Sequence, residues 1–434
     1  MGNWAFAIRA LRSRNYRLFF AGQSVSLIGT WMTRIATSWL VYRLTGSAVL
    51  LGVVGFAGQI PAFLLGPFAG VWVDRWDRHR TLVGTQVLSM LQSLALAGLT
   101  LAGIITTSEI IWLAVAQGLI NAIDMPARQA FVIQMVENRE DLSNAIALNS
   151  SMVNGARLAG PAIAGVVIAA AGEGFCFLVD GISYIAVVAS LLAMRIQAPP
   201  PRMQHHVLRE LIEGWRYVTG SVAIRSLLLL LALVSLIGMP YTVLMPIFAS
   251  SVLGGGPNTL GFLMAATGVG ALAGAVTLAM RRTVLGLGKQ ILVADALFGG
   301  SLIVFGLSRN LWLSIAALAV TGYGMIQQMA STNTILQTIV DEEKRGRVMS
   351  FYSMAFMGMA PFGSLLAGGL AARIGAPLTV VITGAICATS SIWFARVLPG
   401  IRREVRPIYR QLGILPEVAT GIQQACSLQV PPES

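Results

Sequence analysis

The sequence predicts an all-α polytopic membrane protein whose twelve transmembrane helices form two pseudo-symmetric six-helix halves. Composition is the first reason: of 434 residues, 56% are hydrophobic and 11% charged, with a mean hydropathy of +0.74, whereas an ordinary soluble domain is about 25% charged. A water-soluble fold cannot hide that much apolar surface. The apolar runs are also long and continuous, on the scale of the roughly 20 residues that cross a bilayer as a helix. They lack the alternation over about ten residues that marks a membrane β-strand. Finally, the chain repeats itself. The segment MPARQAFVIQMVEN, Met125 to Asn138, aligns without a gap on MASTNTILQTIVDE, Met329 to Glu342, and Gly160-Pro161 is echoed by Ala360-Pro361. Duplication of a six-helix unit accounts for both.

Spans are expected at 16–42, 48–73, 81–105, 110–134, 144–171, 174–194, 226–250, 258–280, 289–307, 311–335, 349–372 and 376–396. The stretch from Ser226 to Met280 holds no charged residue, and Gly254-Gly-Gly-Pro257 divides it into two spans because that turn cannot continue a helix. All but five of the 30 Lys and Arg fall on one side if the N-terminus is cytoplasmic; Arg43, Arg309 and Arg373 lie beside outer loops, and Arg34 and Arg157 lie within spans. The positive-inside rule therefore puts both termini in the cytoplasm. Four regions follow: an N-terminal half over 1–195, a basic connection over 196–225, a C-terminal half over 226–398 and a cytoplasmic tail over 399–434. In the connection Leu208, Leu211, Ile212 and Trp215 recur at helical spacing. This predicts an amphipathic helix, lying either on the membrane surface or as a soluble linker.

The net charge of +12 does not point to nucleic acid, because the basic residues sit in alternate loops. The first apolar run follows Arg9, Arg12, Arg14 and Arg17 directly and has no small-residue cleavage site, so it reads as a first span rather than a signal peptide. Cys176 and Cys387 lie in apolar runs and Cys426 in the tail, and the histidines are His79 and the His205-His206 pair. None of these has metal-ligand spacing, so no metal, cofactor or catalytic constellation is expected. There is no G-x-x-x-x-G-K-[ST] loop, so any transport would be driven by a gradient rather than a nucleotide.

The segment Gly66 to Arg80 ends an apolar run in a knot of charge: Gly70, Asp74, Arg75, Arg78 and Arg80 in close succession. It resembles the loop between helices 2 and 3 of the major facilitator superfamily, G-x-x-x-D-R-x-G-R-[RK], with Asp77 in place of the second glycine. The resemblance covers nearly the whole chain to about residue 400. It implies two halves around a central cavity lined by spans 1, 4, 7 and 10, and a gating role for Gly70, Asp74, Arg75 and Arg78.

Three of those four spans carry polar residues at helical spacing: Gln23, Ser26, Thr30, Thr33 or Arg34, and Thr37 in span 1; Gln117, Asn121, Asp124 and Arg128 in span 4; Gln327, Ser331, Thr334 and Thr338 in span 10. Polar faces at membrane depth need water or protein partners. Asp124 and Arg128 stand at i and i+4 and can pair. That pair reads either as a structural brace at a helix end or as a proton or substrate site. Arg34 reads as a fixed cavity cation favouring anionic or polar aromatic substrates, or as the partner of an acid such as Asp124 or Asp180. Asp180 and Asp295 also interrupt apolar runs, either in the membrane or near enough to a helix end for solvation.

Span 5 contains Gly155, Gly160, Pro161 and Gly165, similar to the glycine-proline motif of the superfamily's antiporters and suited to close packing and bending. The arginine expected three residues before Gln117-Gly118 is replaced by Ala114. A proton-coupling role for it would fall to Arg34 or Arg128. Pro126 to Phe131 and Ser24 to Trp39 resemble the exporter branch that holds enterobactin and macrolide exporters. The resemblance implies a monomeric, proton-coupled exporter of a small amphipathic molecule, a siderophore or drug, in a bacterial cytoplasmic membrane. An importer or flippase on the same scaffold, and a non-transporting sensor, are the other readings. A sensor would be expected to carry a folded cytoplasmic domain larger than the short connection and tail.

Overall fold

The computed structural model describes residues 9–194, 207–281 and 283–412, and for 67, 70, 71, 74, 139 and 207–212 the backbone alone. The Asp74 side chain, the surroundings of Gly70, His205-His206 and the tail with Cys426 lie outside the described residues. Twelve membrane segments run Arg14–Thr45 (span 1), Ala48–Arg75 (span 2), Arg78–Leu101 (span 3), Thr107–Met135 (span 4), Leu142–Ala171 (span 5), Glu173–Leu192 (span 6), Val222–Val252 (span 7), Pro257–Ala279 (span 8), Leu287–Leu307 (span 9), Leu311–Ile339 (span 10), Glu342–Ile374 (span 11) and Ala376–Gln411 (span 12). Ten of these are long and apolar enough to cross a membrane by composition alone. The other two, spans 1 and 10, are just as long but carry the polar stripes.

Local chemistry sets where the helices start. Thr106 and Glu109 form a reciprocal capping box at span 4, and Ser47, Ser221 and Asn310 cap spans 2, 7 and 10. Asp77, which departs from the superfamily loop, caps span 3 by accepting from the Arg80 N–H at 3.0 Å. Proline shapes spans 7 and 11. Around Pro240 and Pro246 span 7 passes through π and 3-10 turns, and span 11 opens into a π turn over Met354–Gly358 just before Pro361.

Packing obeys the duplication. Spans 1·5, 1·6, 2·4, 3·4 and 3·6 pack together, and so do 7·11, 7·12, 8·10, 9·10 and 9·12, while 2·11 and 5·8 join the halves. Small residues permit these approaches. A Cβ at Gly270 would stand 1.8 Å from the Ala319 carbonyl oxygen, and one at Gly322 would stand 2.0 Å from that of Thr267.

The halves touch in one part of their length. Gly52 meets the Ser364 carbonyl, Gly368 that of Ala48, and Gly165 and Gly261 face each other; Tyr42 and Ser251 share a hydrogen bond of 2.5 Å. These groups lie at the end away from the chain termini. The contacts continue inward to Phe63, whose ring is edge-on to Phe362 at 5.6 Å. Beyond Phe63, towards the termini, Phe68, Trp72 and Trp76 on span 2 are exposed. Between spans 10 and 11 a cleft of about 430 Å³ opens, lined by Asn333, Thr334, Gln337, Thr338 and Arg345. Among the described residues the glycine contacts between the halves at Gly52, Gly165, Gly261 and Gly368 thus lie towards the end away from the termini.

Two elements differ from the sequence expectation. The connecting helix, Val207–Gly220, is docked on span 11: Glu213 pairs with Arg347 at 2.9 Å, Trp215 approaches Phe351, and Lys344 lies over the Tyr217 ring. Burial, then the charge of Asp341, raises the Tyr217 hydroxyl above its ordinary range. It therefore remains a donor at neutral pH and bonds Asp341 Oδ2 at 3.4 Å. Span 12 does not stop near 396 but continues to Gln411, because Ile401, Val405 and Tyr409 repeat at i+4 and stay buried, and Glu404 accepts from the Ala223 N–H at 2.9 Å.

Gly270→Ala and Gly322→Ala are each expected to cost about 1–3 kcal/mol by overpacking, read as a lower melting temperature in detergent. Gly300→Ala, whose Cβ would meet nothing within 4 Å, should leave it unchanged or raise it.

Candidate functional site

In the N-terminal half the polar stripe of span 4 is partly bound to span 3. Asp124 is buried; its Oδ1 accepts from Thr85 at 2.8 Å and from Gln86 at 2.7 Å, and Oδ2 pairs with Arg128 one turn along. Gln117 donates to Asn121 at 3.1 Å and to Ser89 at 3.3 Å, and Asn121 is exposed. The stripe thus divides into two separate ladders, Asp124 with Arg128, Thr85 and Gln86, and Gln117 with Asn121 and Ser89.

The span 10 stripe divides. Gln327 and Ser331 are buried, and the Gln327 amide is turned into its own half, donating to the Gly274 carbonyl at 3.0 Å and to Thr277 at 2.6 Å and accepting from Gln290. Close packing of spans 8 and 10 is what brings that carbonyl within reach. Only the next turns, Thr334 and Thr338, line the open cleft.

Span 1 supplies the deepest charge. Gln23 and Ser26 are buried, while Thr30, which hydrogen-bonds the Ser26 carbonyl, is exposed. Arg34 is exposed at mid-span. Its partner is neither of the acids the sequence offered. Asp124 is taken by Arg128, and Asp180 Oδ2 accepts from Thr33 at 2.9 Å and from Ser93 at 2.9 Å. The Arg34 guanidinium carbon instead lies 5.4 Å from the centroid of Trp31, and the Arg157 guanidinium lies 5.3 Å from the same ring. Sequence reading placed Arg157 within a span without joining it to Arg34. The available signal was its position one turn before Gly160.

Gly160 is where span 5 touches span 1, since a Cβ there would stand 2.5 Å from that of Trp31; Gly165 reaches Pro257 and Gly261 of span 8; Gly155 faces open space. Pro161 lies inside a continuous helix, and its carbonyl is what a Cβ at Gly261 would meet. Asp180 and Asp295 are not solvated helix ends but buried mid-helix groups, with Asp295 Oδ2 accepting from Ser390 at 2.7 Å. Between spans 2 and 3 Arg75 is exposed and Arg78 opens span 3.

Duplicated halves with charged and polar side chains at mid-span point to a transporter. A family model for transmembrane secretion effectors matches residues 5–408. The chain belongs to this family of the major facilitator superfamily. It is 29% identical to the staphyloferrin A transporter of Staphylococcus aureus over 389 residues, 87% of this chain and 95% of that one. It is 25% identical to macrolide efflux protein A of Streptococcus pyogenes, over 91% and 98% of the two chains. Among solved structures, the bacterial homologue of the lysosomal transporter Spinster, in its inward-facing and unoccupied conformation, superposes with a TM-score of 0.67 at 13% identity, covering 92% and 98%. That likeness concerns the fold alone.

The Asp124 ladder predicts its own energetics. Thr85→Val keeps the shape and removes one hydrogen bond to a carboxylate, at an expected cost of about 1.5–3 kcal/mol in denaturant unfolding. Thr334→Val, in the open cleft, should cost well under that.

Proposed function

We propose that this protein is a secondary exporter that moves a small amphipathic molecule, a siderophore or drug, out of a bacterial cell by alternating access. The observation that carries the proposal is Arg34: an exposed guanidinium at mid-span that no acid among the described residues pairs with. In this reading both termini are cytoplasmic, and the substrate enters from the cytoplasm. The relatives' names, a siderophore transporter and a macrolide efflux protein, support the substrate classes. The protein works as a monomer in the cytoplasmic membrane.

Return to the outward-facing state requires the small-residue contacts at Gly52, Gly165, Gly261 and Gly368 to part and the terminus ends to close. Gly70, Asp74, Arg75 and Arg78 at the end of span 2 are then placed to latch the closed end. The duplicate position after span 8 has Arg281 and Arg282 but no acid, so the latch is one-sided. Protons drive the cycle, with Asp124, a buried carboxylate paired to Arg128 within span 4, as the group that exchanges them.

Deletion of the gene should make cells hypersensitive to a member of a siderophore and antibiotic panel, or stop secretion of one. Lost uptake would instead assign an importer. In proteoliposomes Asp124→Asn should abolish transport driven by a proton gradient while leaving membrane insertion intact, and unchanged rates would remove Asp124 from the mechanism. Asp74→Asn should slow transport without altering substrate preference.

A further inference from the structure

Arg34 and Arg157 share the Trp31 ring at 5.4 and 5.3 Å, so their guanidinium carbons are separated by no more than the sum of those distances. Both lie in mid-span, where an ionised group is costly unless it is paired. Among the described residues neither forms an ion pair or a hydrogen bond, and Arg157 Nε is buried without a partner. The neighbouring acids are committed elsewhere: Asp124 to Arg128, Thr85 and Gln86, and Asp180 to Thr33 and Ser93. A cation over an indole gains about 0.5–2 kcal/mol, less than the several kcal/mol that desolvating an ion costs, and two like charges on one ring also repel. Structural bracing therefore does not explain the pair.

A third group comes from the other half: Tyr241 of span 7 is 2% exposed and neighbours Arg157. Gly160 makes the arrangement possible by letting span 5 touch Trp31, and Gly268 of span 8 packs on the Arg157 carbonyl. Arg34 is exposed, which leaves the group accessible to a ligand.

We infer that Arg34, Arg157 and Trp31, with Tyr241 from the second half, form an anion-binding site whose ligand is an organic polycarboxylate. Guanidinium forks bind carboxylates in bidentate fashion. Two forks distributed about an indole suit a molecule whose anionic groups stand apart on one carbon frame, and the ring face covers the frame. Phosphate shares the fork chemistry but offers a single centre. The inference rests on the export reading only for its direction, because binding can be measured without transport.

The test is calorimetry on the full chain in nanodiscs with three probes: citrate, inorganic phosphate and the cation tetraphenylphosphonium. Citrate should bind, and Arg34→Gln and Arg157→Gln should each weaken it roughly tenfold or more, whereas Arg34→Lys and Arg157→Lys should retain part of the affinity. Arg403→Gln, on the exposed extension of span 12, should bind like the unmodified protein. Gel filtration and melting temperature establish that each variant is folded. A protein that binds only phosphate or only the cation, or whose two folded Gln variants bind citrate normally, overturns the inference. Citrate binding without export of any panel compound would leave this site standing and remove the function proposed above. Export without citrate binding would do the reverse.

Discussion

A polar group at membrane depth must find a partner in the protein or water, since lipid offers neither donor nor acceptor, and the interior of this molecule is arranged around that constraint. Asp180 reaches hydroxyls on spans 1 and 3, Asp295 a hydroxyl on span 12, and Gln327 a backbone carbonyl on span 8. Each of these bonds ties together helices that apolar packing alone leaves free to slide, because lipid tails are as apolar as leucine. Arg34 has neither an ion pair nor a hydrogen bond among the described residues and is exposed, whereas Asn121 and Thr334 bond within their own helices, to Gln117 and to the Ala330 carbonyl.

The halves share one packing scheme and differ in chemistry. Five helix pairs in one half are matched by five in the other, and the two crossings 2·11 and 5·8 exchange under the same operation. Yet the first half carries the ion pair at Asp124 and the arginines on Trp31, while the second uses amides and hydroxyls at the equivalent depth. Backbone geometry differs too. In span 11, the duplicate of span 5, a π turn over Met354–Gly358 precedes Pro361, whereas the helix around Pro161 of span 5 is regular. Duplication conserved the glycine-mediated approaches that decide which helices touch, and left the residues facing the interior free to diverge.

Most of the architecture was legible in the chain. Continuous apolar runs, the Gly254–Pro257 turn and the repeat at Met125 and Met329 suffice for twelve spans in two halves, because span length and turn chemistry are local properties. Asp124 with Arg128 was legible for the same reason: four residues on a helix is a fixed distance. The end of span 12 was not, since Pro399 and the arginines after it look like a stop signal, and only burial of Ile401, Val405 and Tyr409 against neighbouring helices carries the helix on to Gln411. The connecting helix showed its periodicity but not the span 11 surface on which it is docked.

The residues around Trp31 mark the boundary most clearly. By itself the sequence determined that Arg34 and Arg157 are charges within the membrane, a consequence of composition and span length. That they meet on one indole, that Asp124 and Asp180 are occupied elsewhere, and that Tyr241 of the other half lies near was decided only by tertiary structure. The physical reason is that helix-helix distance in a bilayer depends on which small residues face each other, here Gly160 against Trp31 and Gly268 against Leu158. A facing pair is a property of two helices at once, and no single stretch of sequence contains it.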